Sequence, residues 1–580
     1  MAILFKIPIT YTMIYGKKAN SPETYLSGLN RSKLIKCALF LFHNQEKWTN
    51  TNQFCENFFS QENNQLANEL WTKVANLSFS TFNNEVDSIF PSEYSIISKH
   101  SCLELLRICF SLSDNQEKTS NKRDFEIGVF QALLSINETQ NELCFDEVEK
   151  LPEPISSAYL ILMTTLPYNE FTNTDILSKF ISLCKKSEMF FEYCDQTDKY
   201  KSILDCFLQK HSCPNWEKFV YTIIKLFIMN NCNEDSFRTI TLNPDESTYK
   251  EEFSILSNLS ININQIIPLD NNVDYKKFRN YPLVQVEKNQ FLLISKSLCV
   301  EKLYNSLLFN FNEINTSLSK KYQIPNFFQN YTSNFSEEYM FYEVMRVILS
   351  KQKYISMSGK ECREINRLGE PDYYIRNWND VFLFEFKDVK MDAETKTSCD
   401  YKTLKSKIED KLVYKKEKTK NSAIYQLTNN IQKILSNTFN WDKKINSSKV
   451  NIYPILVVGD STFTTPGMNC ILNDYFSKSL KSKSISRKQV KDLIVIDINT
   501  LILYQNEFAD KNITIKDTCE NYYKCLRMRY PHSNRQTNIT QNAFHYLLPI
   551  SCFIGKNIKQ KSSQLVLSAL ITKIQSKGLE

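Results

Sequence analysis

Asp372, Glu385 and Lys387 are the residues whose types and spacing best support chemistry. Glu385 and Lys387 stand two apart at the end of the apolar run Val381 to Phe386. Asp372 directly precedes a second short apolar run, Tyr373 to Ile375, and the polar segment Arg376-Asn377-Trp378-Asn379-Asp380 separates the two. That is the pattern of a β-hairpin. Side chains alternate faces along a strand, so Leu383, Glu385 and Lys387 share one side while Phe382, Phe384 and Phe386 share the other. A neighbouring strand brings the Asp372 carboxylate within a few ångströms of Glu385. Two carboxylates and an amine converging on one point suit a hard divalent cation and a nucleophilic water.

Pro371-Asp372 followed by Glu385-Phe386-Lys387 resembles the PD-(D/E)XK signature of the restriction-endonuclease-like nucleases. The letters alone recur: Pro244-Asp245 with Asp274-Tyr275-Lys276 satisfies them across a polar interval, and Glu394-Thr395-Lys396 and Asp400-Tyr401-Lys402 match the second half. Only Glu385 sits on a strongly apolar strand with the first carboxylate on the strand before it.

The surrounding elements follow the family's order. A helix is expected from an N-cap at Ser336, with Glu337 and Glu338 in its first turn and Met340, Val344, Val347 and Ile348 on its apolar face. Tyr354 to Met357 reads as a strand, followed by the two strands of the motif. A helix with Ile424, Leu427, Ile431, Ile434 and Leu435 on one face comes next, then a buried strand, Ile455 to Val458, ending on Gly459-Asp460. The order αβββαβ resembles the family's core, and a further strand, Leu493 to Ile498, extends it.

The resemblance implies a nuclease, with Asp372 and Glu385 holding Mg²⁺ (Mn²⁺ as a substitute) and the Phe386 carbonyl as an extra ligand. It implies that Lys387 orients or polarises the attacking water. Relatives carry a glutamine or base on the helix after the motif, which points to Gln426, on the same side as Asn430 and Lys433. They also carry an acid on the helix before the strands, where Glu338 is taken and Glu337 and Glu343 compete. The expected activity is a DNA endonuclease; large helical extensions resemble those of prokaryotic restriction or anti-phage effectors. Two alternatives stand beside it, an RNA-directed nuclease and a non-catalytic nucleic-acid-binding or scaffold protein on the same fold.

Composition fits a folded cytosolic protein. Of 580 residues, 42% are hydrophobic and 23% charged, and the length calls for two or three domains. We read 1–235 as a helical recognition or scaffold region, 236–330 as a small α/β connector with a hairpin at Leu283 to Ile294, and 331–580 as the nuclease domain with a helical extension. Net charge is −6 over 1–330 and +13 over 331–580, placing the cationic surface with the motif. Seventeen cysteines form no CxxC pair, no signal peptide is evident and no run is long enough to span a membrane. Cys206, His211 and Cys213 are read as packing rather than as a metal site. With no GxxxxGK[ST] motif, nucleotide-driven movement requires a protein partner. An activating or recruiting protein and self-association are both compatible with this composition.

Two basic tracts flank the motif. Lys402 to Lys420 holds eight lysines, and Lys478 to Lys491 six lysines or arginines without an acid. Within them Lys415, Lys416, Lys418, Arg487 and Lys488, together with Lys433, are the candidate nucleic-acid contacts. Tyr522, Tyr523, Arg527 and Arg529 are a further aromatic and basic candidate surface.

Overall fold

The computed structural model describes residues 7–45, 47–48, 50–82, 94–113, 121–141, 146–168, 175–231, 239–366, 369–414, 422–510, 513–527, 546–560, 568 and 572. They form two compact units that interleave along the chain, Met1–Cys144 with Phe227–Cys299, and Phe145–Leu226 with Val300–Glu580. The hairpin Leu283–Glu287 and Gln290–Leu293 lies in the first of these units, with the helices of residues 1–144.

In the first unit, helices Arg31–Asn44, Lys99–Ser111 and Lys122–Asn141 bury apolar faces. The hairpin is completed by Thr239–Thr241 and Ser260–Asn262 into a four-stranded mixed sheet. Buried Arg31 donates to the Ile263 carbonyl at 3.0 Å, tying the first of these helices to the segment that follows Asn262.

The second unit is built on five strands, β1 (Ile355–Ser358), β2 (Tyr373–Asn377), β3 (Asp380–Lys387), β4 (Asn451–Val458) and β5 (Ile494–Asp497), side by side in the order β5-β4-β3-β2-β1. The pairs β1–β2 and β2–β3 are antiparallel, and the pairs β3–β4 and β4–β5 are parallel. The parallel step from β3 to β4 needs a crossover, which contains the helix Ala423–Leu435. Its Leu427 and Ile431, with Leu472 and Phe476 of the helix Met468–Ser482, cover the sheet face that carries Leu383 and Leu456. Met345 and Ile348 of the helix Tyr342–Leu349, with Leu501 and Phe508 of Ile498–Ala509, cover the face that carries Phe384 and Ile455. With both faces covered, every residue of β3 except Lys387 is buried, so the apolar run of the sequence is continuous rather than alternating.

The helix before the strands departs from expectation. It begins at Phe327, runs through π-helical turns over Tyr331–Phe341 and becomes α-helical at Tyr342. Ser336 is therefore inside a helix, not at its cap, and Glu337 and Glu338 are far from its first turn. The Ser336 hydroxyl serves another partner, donating to Asp388 Oδ2 at 2.6 Å.

Among the described residues no helix is long and apolar enough to cross a membrane.

Candidate active site

The register between β2 and β3 assembles the motif. Tyr373 pairs with Phe384, so one further step along both chains sets Asp372 opposite Glu385. The Phe386 N–H donates to Asp372 Oδ2 at 2.7 Å. Lys387 Nζ donates to Glu385 Oε1 at 2.5 Å and stands 3.7 Å from Asp372 Oδ2. The three sequence-identified groups thus meet at the ends of two neighbouring strands.

Glu385 is fully buried, and its Oε2 has no hydrogen-bond partner among the described residues. A buried carboxylate oxygen left unpaired carries its full desolvation cost, on the order of 1–3 kcal/mol or more for a charged group. Burial, and then the charge of Asp372, push the Glu385 carboxyl well above its ordinary range, against the pull of Lys387. At Lys387 burial favours the neutral amine, but Glu385 and Asp372 outweigh it and hold the proton on. Two carboxyl groups share one ammonium here, and their repulsion together with burial favours the neutral form of Glu385.

Glu337 belongs to this cluster, and sequence reasoning preferred its neighbour. Burial, followed by the Asp372 charge, raises Glu337 to about 7, with Lys387 opposing. Tyr342 donates its hydroxyl to Glu337 Oε1 at 3.1 Å. Glu338 instead accepts from Arg363 Nη2 at 2.6 Å, while Arg363 also reaches Glu370 at 3.4 Å. Glu343 pairs with Arg346 on the exposed side of its helix. The π-helical turns, absent from any simple periodicity, change which acid faces the strands.

Other candidates separate by position. Lys433 donates to the Gly369 carbonyl at 2.9 Å, joining the crossover helix to the segment leading into Asp372, and lies 5.0 Å from the Trp441 ring centre. Gln426 is half-buried on the same side of that helix, and Asn430 between them is buried with its Oδ1 unpaired. Arg487 pairs with Asp492, and the exposed Lys488 precedes Gln489, whose carbonyl accepts from Ile452 N–H at the opposite end of β4 from Val458. Six residues of strand put these two cations roughly 20 Å from the site. Lys415, Lys416 and Lys418 lie outside the described residues, as does Arg529.

Tyr522 and Tyr523 are not a surface. Both are buried, donating to the Leu548 and Asp492 carbonyls at 2.7 Å. His211 packs between Phe207 and Phe219, and burial lowers it to about 4. The decoy Asp274 pairs with Arg279 at 3.0 Å.

A partly buried ionic network adjoins the motif. Lys390 Nζ lies 3.7 Å from Asp460 Oδ2 and 3.9 Å from Asp388 Oδ1. Gly459, which donates its N–H to the Lys387 carbonyl at 2.9 Å, leaves room for Asp388: a Cβ there would stand 2.4 Å from Asp388 Oδ1. The network fixes the strand ends on which Glu385 and Lys387 stand.

Among the described residues no three His, Cys, Asp or Glu side chains gather as a metal-binding group. Mg²⁺ commonly binds through one or two carboxylates and retains several waters, so Asp372 and Glu385 with the unpaired Oε2 fit it. Comparison with known proteins returned no matching family model, no matching curated protein and no matching solved structure.

Proposed function

We propose that this protein is a divalent-metal-dependent nuclease on a restriction-endonuclease-like core, with DNA as its polymer. The observation that carries the reading is the buried Glu385 carboxylate, its Oε2 unpaired, beside Asp372 and Lys387. A structural ion pair buried at this cost would be expected to satisfy its acceptors. Here one acceptor is left for something else.

Asp372 and Glu385 would hold the ion, and Glu337 stands next to them. A bound Mg²⁺ supplies a more acidic water and offsets charge on the phosphodiester. Lys387, kept protonated by its two carboxylates, contributes positive charge beside the reacting phosphate and orients the nucleophile. Tyr342 fixes Glu337, and Lys433 holds the approach to Asp372. The excess positive charge of 331–580 supports a polyanionic substrate. A cytosolic setting and a partner acting through the helical first unit remain part of this proposal.

The test is incubation of the full chain with supercoiled plasmid, linear duplex, single-stranded DNA and RNA, in Mg²⁺ and in EDTA. Metal-dependent cleavage of DNA is expected. Cleavage of RNA alone would transfer the proposal to RNA, and retention of nucleic acid without cleavage under any metal would leave a binding protein.

A further inference from the structure

We propose that the end of the second unit's sheet remote from Glu385 binds single-stranded nucleic acid, with Trp378 as a base-stacking platform. Asn377 pairs with Asp380, leaving Trp378 and Asn379 as a two-residue turn between β2 and β3. The Trp378 side chain is 87% exposed and its φ is +55°. Glycine, asparagine or aspartate usually fills such a position, and a bulky aromatic there is a backbone outlier. Neither the turn nor the core gains from an indole in solvent.

The turn is held rigidly. Arg376 Nη1 donates to the Trp378 carbonyl at 3.3 Å, and its Nε donates to Asp442 Oδ2 at 2.5 Å. Asn451 N–H donates to the Asn379 carbonyl at 2.8 Å, and Lys516 pairs with Asp380 at 2.7 Å. Lys443, Lys444 and Lys449 stand exposed on the segment between Asp442 and β4, while Lys488 is exposed on the segment bonded to Ile452. These four lysines have no ion-pair partner among the described residues. A solvated indole on a held turn, with exposed lysines on the segments that bond to that turn and to the adjoining end of β4, matches the chemistry of an unstacked base with its phosphates. Duplex DNA hides its base faces, and an acidic peptide offers charge without a π-face to stack.

This surface lies roughly 20 Å from Asp372 along the strands and needs no catalysis. Binding is therefore measured on the full chain in EDTA, by anisotropy of a labelled oligothymidylate of about 20 nucleotides and of an abasic strand of equal charge. Trp378→Gly suits the left-handed backbone and so preserves the fold. It is expected to weaken oligothymidylate roughly tenfold while leaving the abasic strand unchanged, with Trp378→Phe retaining most of the affinity. Lys443→Glu with Lys444→Glu should weaken both ligands and flatten the salt dependence. Equal oligothymidylate binding by wild type and Trp378→Gly overturns the proposal. So does Trp378-dependent binding of polyglutamate in place of oligothymidylate, which would assign the surface to an acidic protein. Failure of cleavage elsewhere in the molecule leaves either outcome readable.

Discussion

The backbone N–H of Phe386 is bonded to the side chain of Asp372, at 2.7 Å. One carboxylate thereby fixes the strand position that separates Glu385 from Lys387, while facing both across the β2–β3 register. Structure and chemistry are joined in that residue.

Asp372→Asn retains an acceptor for Phe386, and Asp372→Ala does not. Both should lose cleavage by about 100-fold or more, as expected when a group acting on the reacting centre is removed. Only the alanine variant should also lose stability, by about 1–3 kcal/mol, for an unsatisfied buried N–H. Paired denaturant titrations and cleavage rates separate the two effects.

Glu337 and Glu338 are adjacent in sequence but differ in surroundings. Glu337→Gln should raise the Mg²⁺ concentration needed for half-maximal cleavage severalfold. Glu338→Gln, which loses a half-exposed pair with Arg363, should shift it little and cost at most about 1 kcal/mol. Rates measured across a Mg²⁺ series decide between them.

Burial pushes the Asp460 carboxyl up, but Lys390, Lys396 and the Thr462 donors outweigh it and hold it at about 2. A carboxyl depressed in the folded state stabilises above its unfolded value and loses that contribution as pH falls through the folded one. Asp460→Asn should therefore cost roughly 2 kcal/mol near neutrality, with the difference from wild type vanishing between about pH 4 and 2. Urea midpoints over that range are the measurement.

Gly459→Ala places a methyl group 2.4 Å from Asp388 Oδ1 and 2.9 Å from its Cβ. Overpacking of this kind costs about 1–3 kcal/mol. Because Gly459 bonds to the Lys387 carbonyl, cleavage should fall as well, even though no motif residue is changed. Thermal unfolding and plasmid cleavage of the same preparation test both.

The motif residues were legible because strand chemistry is local. An apolar run with one acid and one base, preceded by a short strand, determines which side chains share an edge once the hairpin closes. The strands Ile355–Ser358, Asn451–Val458 and Ile494–Asp497 and the helix Ala423–Leu435 follow from the same periodicities, whereas the helices Gly359–Ile365 and Tyr401–Ile408 do not. Glu337 was passed over because a helix start was read at Ser336, where the chain continues in π-helical turns with that hydroxyl committed to Asp388. Tyr522 and Tyr523 had no periodicity to mark them as buried, and their hydroxyls find carbonyls 26 and 31 residues away in sequence. The interleaving of the two units is likewise a matter of long-range contacts that composition does not encode. Trp378 looked like an ordinary turn residue; its positive φ and exposure appear only in three dimensions.

We propose that Glu385 serves a metal ion in phosphodiester hydrolysis. Glu385→Gln keeps the shape of the side chain and an acceptor for Lys387 while removing the carboxylate. Supercoiled plasmid should be cut by wild type in Mg²⁺ and left intact in EDTA, and the folded Glu385→Gln protein should leave it intact in both. Wild-type rates from Glu385→Gln in Mg²⁺, or undiminished wild-type cleavage in EDTA, would contradict it.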